Sequence, residues 1–376
     1  MATIDLHDKP FGDETITKLE IFEDYAQAWL PTFIMQNKPI LCIIDFFAGT
    51  GYDKNGIAGS PIRLLKKIVE HKGIIFQNKT KIKLYLNEFE PNKKQQKKYE
   101  LLKTSCEKFL EEEPSLKHII DVEYLNLTFE IVFEMLLPVI RQYPALVYLD
   151  QNGIKFTSEK YFLELEKTTQ TDFLYFISSS YFWRFGDRDE FKMNLNIDMN
   201  EARKNQYKFI HNSIIEQLRK KLPENSKLRL YPFSLKKGQN IHGIIFGASH
   251  PRAVDKFLNV AWSRNKSNGM ANFDIYDEAK LHQIDMFSGD RGRSRIEIFQ
   301  DQVREMILSG NIDNNFDLYN FAIGLGFLGS HAAQCVTKMK KEKVLIYDCK
   351  FPLVNYENTY KKPKKLLYLI NQSNKN

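Results

Sequence analysis

The sequence has no long uninterrupted apolar segment. Its most apolar stretches, LCIIDFFA and VFEMLLPVI, are each broken by an acid or a proline. A membrane-spanning helix needs about 20 consecutive apolar residues. The amino-terminal stretch MATIDLHDKPFGDETITK also lacks the basic start and apolar centre of a secretory signal. We therefore expect a cytoplasmic protein without membrane contact.

Cysteine is scarce, with 4 in 376 residues. No two of them have the C-x-x-C spacing of a zinc site, and the expected compartment does not favour disulfides. We predict no metal site. Cys42 falls in an apolar segment and is expected to be a small core residue.

Arginine is absent from the last fifty residues, whereas lysine is abundant there. From Phe327 onward there are ten lysines and three acids, which accounts for the net charge of +7 of the whole chain. Such a concentration of positive charge indicates a surface for an acidic partner. Without arginine, bidentate reading of guanine is not available, so any nucleic-acid contact there should tolerate many base sequences.

Strand patterns alternate with helix patterns five times from residue 39 onward. This alternation predicts an α/β fold with a parallel, doubly wound, Rossmann-like sheet and helices on both faces. Two later segments, KLRLYPFSL and IHGIIFGASH, predict a hairpin-like pair. That pair would complete about seven strands with one antiparallel edge. Before the sheet, helical spacing over 16–36 puts one apolar stripe on a helix: Leu19, Phe22, Tyr25 and Trp29.

The pattern divides the chain into two domains. Residues 1–287 carry the sheet, with a polar insertion near 186–222 that ends in a charged helix. The short basic stretch SGDRGRSR, 288–295, reads as a linker. Residues 296–376 contain three helical patterns and two β-like segments, which is typical of a winged helix-turn-helix domain.

The third helical pattern of that second domain, 330–341, is the predicted recognition helix. Its inward stripe is Ala332, Cys335, Val336 and Met339. Its outward side chains are His331, Gln334, Thr337, Lys338 and Lys341. The predicted contacts with nucleic acid are these two lysines and four more in the wing, Lys361, Lys362, Lys364 and Lys365.

A glycine turn follows the first strand in DFFAGTG, from Asp45 to Gly51. Glycines there let the backbone approach a ligand closely and expose its N–H groups. The next helix is expected to begin at Ser60-Pro61, with Ser60 as its N-cap. The second strand ends in Glu88 and Glu90, where an acid can accept hydrogen bonds from ribose hydroxyls.

The spacing of the glycines narrows the choice of ligand. The third glycine of G-x-G-x-x-G is missing and no Walker lysine is present, so a dinucleotide is disfavoured and a P-loop is excluded. An acid beside the turn disfavours a pyrophosphate and favours the cationic groups of S-adenosylmethionine. The alternative is that Asp45 only caps its own turn. The predicted cofactor residues are Asp45, Phe47, Ala48, Gly49, Gly51, Gly59, Ser60, Glu88, Glu90 and, at the third strand, Asn126.

Asp150 ends the fourth strand, where methyltransferases acting on exocyclic amines carry [DN]-P-P-[YF]. It is the predicted catalytic residue, as a general base or an orienting acceptor. Gln151 and Asn152 replace the proline and aromatic positions, which disfavours base stacking and amine methylation. The alternative is a fold that binds its ligand without turnover.

Several motifs together resemble one known family, the three-Cys-motif partner proteins (TcmP). Its Y-x-x-A-W, D-x-F-A-G-x-G and G-S-P motifs match the sequence at 25–29, 45–51 and 59–61. Its E-x-D-P and L-D-P-F-G motifs are matched more loosely at 88–91 and 149–153, and GIIFGASH at 243–250 is similar to its GLIFASKH.

The resemblance implies a class I methyltransferase-like fold with a C-terminal winged helix. It also implies a protein partner that carries a three-cysteine motif, often among bacterial mobile or antiviral defence genes. Two hypotheses follow. The first is an S-adenosylmethionine-dependent methyltransferase acting on DNA or RNA. The second is a non-catalytic partner subunit that uses the same fold for assembly.

Overall fold

The computed structural model describes residues 10–91, 97–150, 159–189, 197–278 and 292–371. The chain forms two compact units, Met1–Ala253 and Val254–Asn376. Among the described residues, no helix combines the length and apolarity needed to cross a membrane.

The first unit is built on a seven-stranded sheet in the order β3-β2-β1-β4-β5-β7-β6. Strands β1 to β5 run parallel, and β7 runs antiparallel to both of its neighbours. The strands are β1 Ile40–Asp45, β2 Lys81–Asn87, β3 Ile120–Leu125, β4 Ala145–Leu149, β5 Thr171–Ile177, β6 Arg229–Lys237 and β7 Asn240–Ala248. The sequence predicts the antiparallel strand at the edge. The antiparallel strand β7 instead lies next to the edge strand β6, because β7 turns back from β6 and inserts beside β5.

Helices connect the strands in the predicted alternation. They are α1 Asp13–Ile34, α2 Ser60–Glu70, α3 Lys72–Gln77, α4 Lys97–Glu112, α5 Phe129–Gln142, α6 Glu159–Glu166 and α7 Ser179–Phe185, followed by the helices Met199–Ala202 and Ile210–Lys220. The chain runs outward from β1 to β3 and returns to β4 on the other side of β1. This strand order is that of the class I methyltransferase-like fold, which confirms the predicted fold class of the sheet.

Helix α1 packs against the sheet through the predicted stripe, whose four members are all buried. The Phe22 ring stacks on Tyr148 of β4 with a centroid separation of 3.8 Å. The Tyr25 hydroxyl donates a 2.7 Å hydrogen bond to Asp172 Oδ2 of β5. Burial raises the pKa of Asp172 to about 7. These contacts fix the position of α1, and therefore of any polar residue on the same stripe.

The stretch predicted as one charged helix over 201–222 is helical in two pieces. Met199–Ala202 is followed by a 3-10 turn, and the longer helix spans Ile210–Lys220. The longer helix buries Ile210, Ile214 and Leu218 at helical spacing. Its buried His211 contacts the hydroxyls of Ser179 and Ser234 through its two ring nitrogens. The segment therefore contributes to the core on the face formed by β5, β7 and β6.

The second unit contains the predicted order of three helices and two β segments. They are the helices Arg295–Leu308, Asn315–Gly324 and Gly329–Lys341, then β8 Leu345–Ile346 and β9 Leu369–Ile370, which pair antiparallel. The helix Pro251–Arg264 leads into this unit. Of the predicted linker, 288–291 lies outside the described residues. Ser294 forms a capping box with Glu297 at the start of the first of the three helices.

The helix Gly329–Lys341 buries its predicted inward stripe. Gln334, Lys338 and Lys341 are exposed as expected, and Thr337 is half-buried. The prediction for His331 is wrong, because this side chain is buried. Its ring packs edge-on against Trp262 with a centroid separation of 4.3 Å. The aromatic partner comes from the helix Pro251–Arg264, which the periodicity of the third helix alone does not reveal.

Candidate functional site

The glycine turn after β1 has the backbone geometry that its sequence predicts. Gly49 and Gly51 have φ angles of 69° and 89°, in the left-handed region that favours glycine. A Cβ atom on Gly51 would lie 2.7 Å from the Cβ of Ser105 on α4. The turn closes where Gly59 N donates a 2.8 Å hydrogen bond to Gly51 O. Phe47 and Ala48 lead into it, and Ala48 N donates to Asn87 O of β2.

Asp45, the last residue of β1, is fully buried beneath this turn. Its carboxylate accepts hydrogen bonds from Phe47 N at 3.1 Å and from Ser60 Oγ at 2.5 Å. Burial raises its pKa to about 7, against the opposing effect of those two donors, and the negative charges of Asp150 and Glu88 raise it further. Both hydrogen bonds match the alternative in which Asp45 caps its own turn.

Ser60 is not the N-cap that the sequence predicts. Gly59 occupies the N-cap position of α2, and Ser60 is the first residue of the helix. The Ser60 hydroxyl instead donates to Asp45, so it joins the start of α2 to the end of β1. The proline that follows suits the first turn because it has no N–H to leave unpaired.

Glu88, which follows β2, forms a hydrogen bond with the glycine turn. Its Oε2 accepts a 2.8 Å hydrogen bond from Gly49 N. Glu90 points elsewhere, since its Oε2 accepts from Lys98 N and Tyr99 N at the start of α4. A carboxylate in that position caps the helix and offsets the partial positive charge at its N-terminus. Asn126 Oδ1 accepts from Glu90 N, so Asn126 holds the loop between β2 and α4.

Asn87, the buried last residue of β2, is not among the predicted site residues. Its Nδ2 donates to Phe46 O and Leu127 O, each at 3.1 Å, and its Oδ1 accepts from Leu127 N. One amide therefore ties together the chain after β1 and after β3. The signal is visible in the sequence, because a polar residue that ends the apolar run LYLN is costly to bury unless it is hydrogen-bonded.

Asp150, the predicted catalytic residue, follows β4 and forms an ion pair with Lys18 of α1. The Lys18 ammonium also lies 4.3 Å from the ring centroid of Phe176 on β5. Lys18 is missed by the sequence analysis. It nevertheless precedes Phe22 by four positions and Tyr25 by seven, which puts it on the apolar stripe of α1. Residues 151–153, the rest of the fourth-strand motif, lie outside the described residues.

Three carboxylates, those of Asp45, Glu88 and Asp150, lie together at the carboxyl ends of the parallel strands. Asp150 and Glu88 are close enough to raise the pKa of Asp45. Lys18 offsets the charge of Asp150, and burial raises the pKa of Asp45 to about 7. The negative charge that remains favours a cationic ligand over a phosphate. The described part of the chain contains no cluster of three or more His, Cys, Asp or Glu side chains arranged for a metal ion. S-adenosylmethionine carries a positive sulfonium and a positive ammonium group, and both groups would be attracted to these carboxylates.

The predicted nucleic-acid lysines lie in the second unit. Lys338 and Lys341 are on the exposed side of the helix Gly329–Lys341. The four wing lysines, 361, 362, 364 and 365, are exposed in the chain that leads to β9. Lys361 forms an ion pair of 3.4 Å with Glu357.

No family model and no curated protein matches the sequence. Its fold is similar to solved structures of the O-methyltransferase TomG from Streptomyces achromogenes, a putative O-methyltransferase from Klebsiella pneumoniae and an O-methyltransferase from Bacillus cereus. The sequence identities are 9%, 9% and 10%, and the TM-scores are 0.32, 0.31 and 0.32. Each overlay covers 63% of this chain and 90%, 90% and 91% of the other. The strand order and the antiparallel seventh strand are those of a methyltransferase-like fold.

Proposed function

We propose that this chain is an S-adenosylmethionine-dependent methyltransferase that acts on nucleic acid. The observation that carries the proposal is the hydrogen bond from Gly49 N to Glu88 Oε2, which joins the glycine turn to the second-strand acid. The two meet at the carboxyl edge of the sheet, where doubly wound folds bind their ligands. The charge of the nearby carboxylates supports a cationic ligand over a dinucleotide.

The proposal gives roles to Glu88, to Gly49 and Gly51 of the turn, and to Asp45 and Ser60 beneath it. Glu88 is the acceptor for the ribose hydroxyls, and the turn containing Gly49 and Gly51 lets the backbone approach the ligand. Asp45 and Ser60 hold the turn from below, through their mutual hydrogen bond. S-adenosylmethionine supplies an activated methyl group when bound. Asp150, at the end of β4, accepts or orients the proton of the acceptor group.

The nucleic-acid part of the proposal rests on the second unit, which we assign as a winged helix. Support comes from its three helices, the antiparallel pair β8–β9 and the exposed lysines between them. The resemblance to the TcmP family adds a partner with a three-cysteine motif and a bacterial defence or mobile-element setting. The cytoplasm is the compartment we propose.

The test uses the purified full-length chain. Calorimetry with S-adenosylmethionine, and mass spectrometry of any ligand retained through purification, measure cofactor binding. Transfer of a labelled methyl group to DNA and to RNA measures activity. We expect Asp150→Ala to bind the cofactor as the unchanged chain does and to lose transfer. An unchanged chain that binds no cofactor at millimolar concentration contradicts the proposal.

A second candidate is a non-catalytic partner subunit. The observation in its favour is the ion pair with Lys18, which engages the carboxylate that transfer would use. This candidate predicts cofactor binding without methyl transfer to any nucleic acid. It also predicts a stable complex with the three-cysteine protein, detectable by co-purification. Methyl transfer that depends on Asp150 would rule it out.

A further inference from the structure

A groove of about 770 Å³ runs along the helix Gly329–Lys341 in the second unit. One wall is the exposed side of that helix, from Ser330 to Lys341. The other wall is the segment 351–358, which lies between β8 and β9. We refer to this space below as the groove.

The second wall of the groove is held firmly in place. Leu353 has a φ angle of 56°, which is strained for a side chain of this kind. Its carbonyl accepts a 3.1 Å hydrogen bond from Asn315 Nδ2, and the carbonyl of Pro352 accepts one of 2.6 Å from the Tyr368 hydroxyl. A Cβ on Gly329 would lie 2.4 Å from Val354 O, so a glycine is required where the wall meets the helix. Strain that the surroundings maintain is typical of binding sites.

The charged side chains that line the groove are all positive. Among the described residues that line it, the only ionisable side chains are Lys338 and Lys341. They lie one helical turn apart, and neither makes an ion pair with another described residue. The rest of the lining is apolar or neutral and includes the side-chain amide of Gln334. An anionic occupant is therefore favoured.

Phe351 adds an aromatic face to this cationic groove. Its side chain is 63% exposed, although it is one of the largest apolar side chains in the unit. The ammonium of Lys350 lies 5.4 Å from the centroid of its ring. An exposed aromatic ring beside lysines is the arrangement that binds unpaired nucleic acid, in which bases stack on the ring and phosphates meet the cations.

We propose that the groove binds an unpaired stretch of nucleic acid, with a base stacked on Phe351 and phosphates near Lys338 and Lys341. A duplex fits this surface less well, because a helix that reads a duplex must enter a major groove about 12 Å wide. Here the wall 351–358 lines the same exposed side of the helix that would have to enter the major groove. The inference refines the nucleic-acid part of the proposed function and names single strands as the substrate class.

The experiment measures fluorescence anisotropy of the full-length chain with labelled oligonucleotides of about 12 nucleotides, a length within the range that single-strand sites occupy. Three probes are compared: single-stranded oligo-dT, the corresponding duplex and a polyglutamate peptide. We expect the single strand to bind most tightly. Phe351→Ala should weaken its binding about tenfold, and Phe351→Trp should retain it, because bases stack on the aromatic ring.

Two further measurements separate stacking from charge. Lys338→Ala should lower the slope of log affinity against log salt concentration by about 0.7 in magnitude, the value for one lost phosphate contact on a single strand. The matched controls are Phe76→Ala and Lys66→Ala, which remove an exposed aromatic and an exposed lysine of the first unit. Both should leave binding unchanged.

Three outcomes would overturn the inference. The first is a duplex that binds at least as tightly as the single strand with no effect of Phe351→Ala. The second is a preference for polyglutamate, which would indicate an acidic protein partner. The third is no binding of any probe at low salt. Cofactor binding, measured separately by calorimetry, decides the proposed function and does not depend on these results.

Discussion

Lys18 and Asp150 form an ion pair that joins the amino-terminal helix to the end of the fourth strand. Both side chains are largely shielded from solvent, with 10% and 18% of their areas exposed. Removing one member of such a pair leaves the other charge without compensation. The pair therefore links the stability of α1 to the residue proposed for catalysis.

The first prediction concerns this pair. Lys18→Ala should destabilise the chain by about 1–3 kcal/mol, the scale for a lost hydrogen bond between charged groups. Asp150→Ala should have a similar effect, and the double variant should cost less than the sum. A double-mutant cycle from denaturant unfolding measures this coupling. Additive effects would mean that the contact contributes no net stability. Lys220→Ala, which removes the exposed pair with Glu201, is the matched control and should change little.

The second prediction concerns Glu88. Glu88→Gln keeps an oxygen that can accept from Gly49 N but removes the negative charge. We expect cofactor affinity to fall by about 1–3 kcal/mol, because the ribose hydroxyls would then donate to a neutral amide oxygen and hydrogen bonds to charged groups are about twice as strong. Calorimetry measures the change. Glu123→Gln, on the exposed side of β3, is the control, and equal affinities for the two variants would remove Glu88 from the site.

The third prediction is a pH dependence of stability caused by Asp45. The folded chain holds the Asp45 proton up to about pH 7, whereas an exposed aspartate loses it near pH 4. Within that window the folded state binds more protons than the unfolded state, so the stability from this group is lost as the pH rises. Asp45→Asn should reduce the difference in unfolding midpoint between about pH 5 and about pH 8.

The control for that experiment is Asp348→Asn, which changes an exposed aspartate of the second unit. Its pH dependence should match that of the unchanged chain. Burial also raises the pKa of Asp172 to about 7, so part of the pH dependence should persist in Asp45→Asn. A variant with the full dependence of the unchanged chain would show that Asp45 is ionised in the folded state throughout this range.

The fourth prediction compares two glycines of the same loop. Gly51 and Gly56 both have positive φ angles, but only Gly51 is close to another element. Gly56→Ala should cost the strain of the left-handed conformation alone, on the order of 1 kcal/mol. Gly51→Ala should cost more, because its Cβ would also collide with Ser105 on α4. Thermal unfolding of the two variants measures the difference, and equal midpoints would contradict the collision.

The strand–helix alternation could be predicted from the sequence because each element carries its own periodicity. The inward stripe of α1 follows from the same rule, since its spacing matches one face of a helix. Partners across the fold could not be predicted in this way. Lys18 pairs with a residue 132 positions away, and His331 packs against Trp262 from a different helix. A periodicity assigns a residue to a face of its element, but it does not say what lies opposite.

The glycine turn also has contacts that could not be predicted from the local sequence. Its φ angles follow from the glycines themselves, and its position follows from the end of β1. The hydroxyl of Ser60 could equally have capped its own helix, as the sequence predicts. It turns to Asp45 instead because that buried carboxylate lacks water and gains a donor. Burial, which the local sequence does not encode, decides between the two.

The attachment of α1 to the sheet has a consequence for the order of folding. During synthesis this helix emerges before the strands of the sheet, but Tyr25 and its partner Asp172 are 147 residues apart. Until the fifth strand is made, Tyr25 lacks this partner, and contacts of such long separation form slowly. A nascent chain halted before β5 should therefore expose the stripe to chaperones and proteases. The site at the end of β4 becomes complete only when α1 docks against a strand that is synthesised much later.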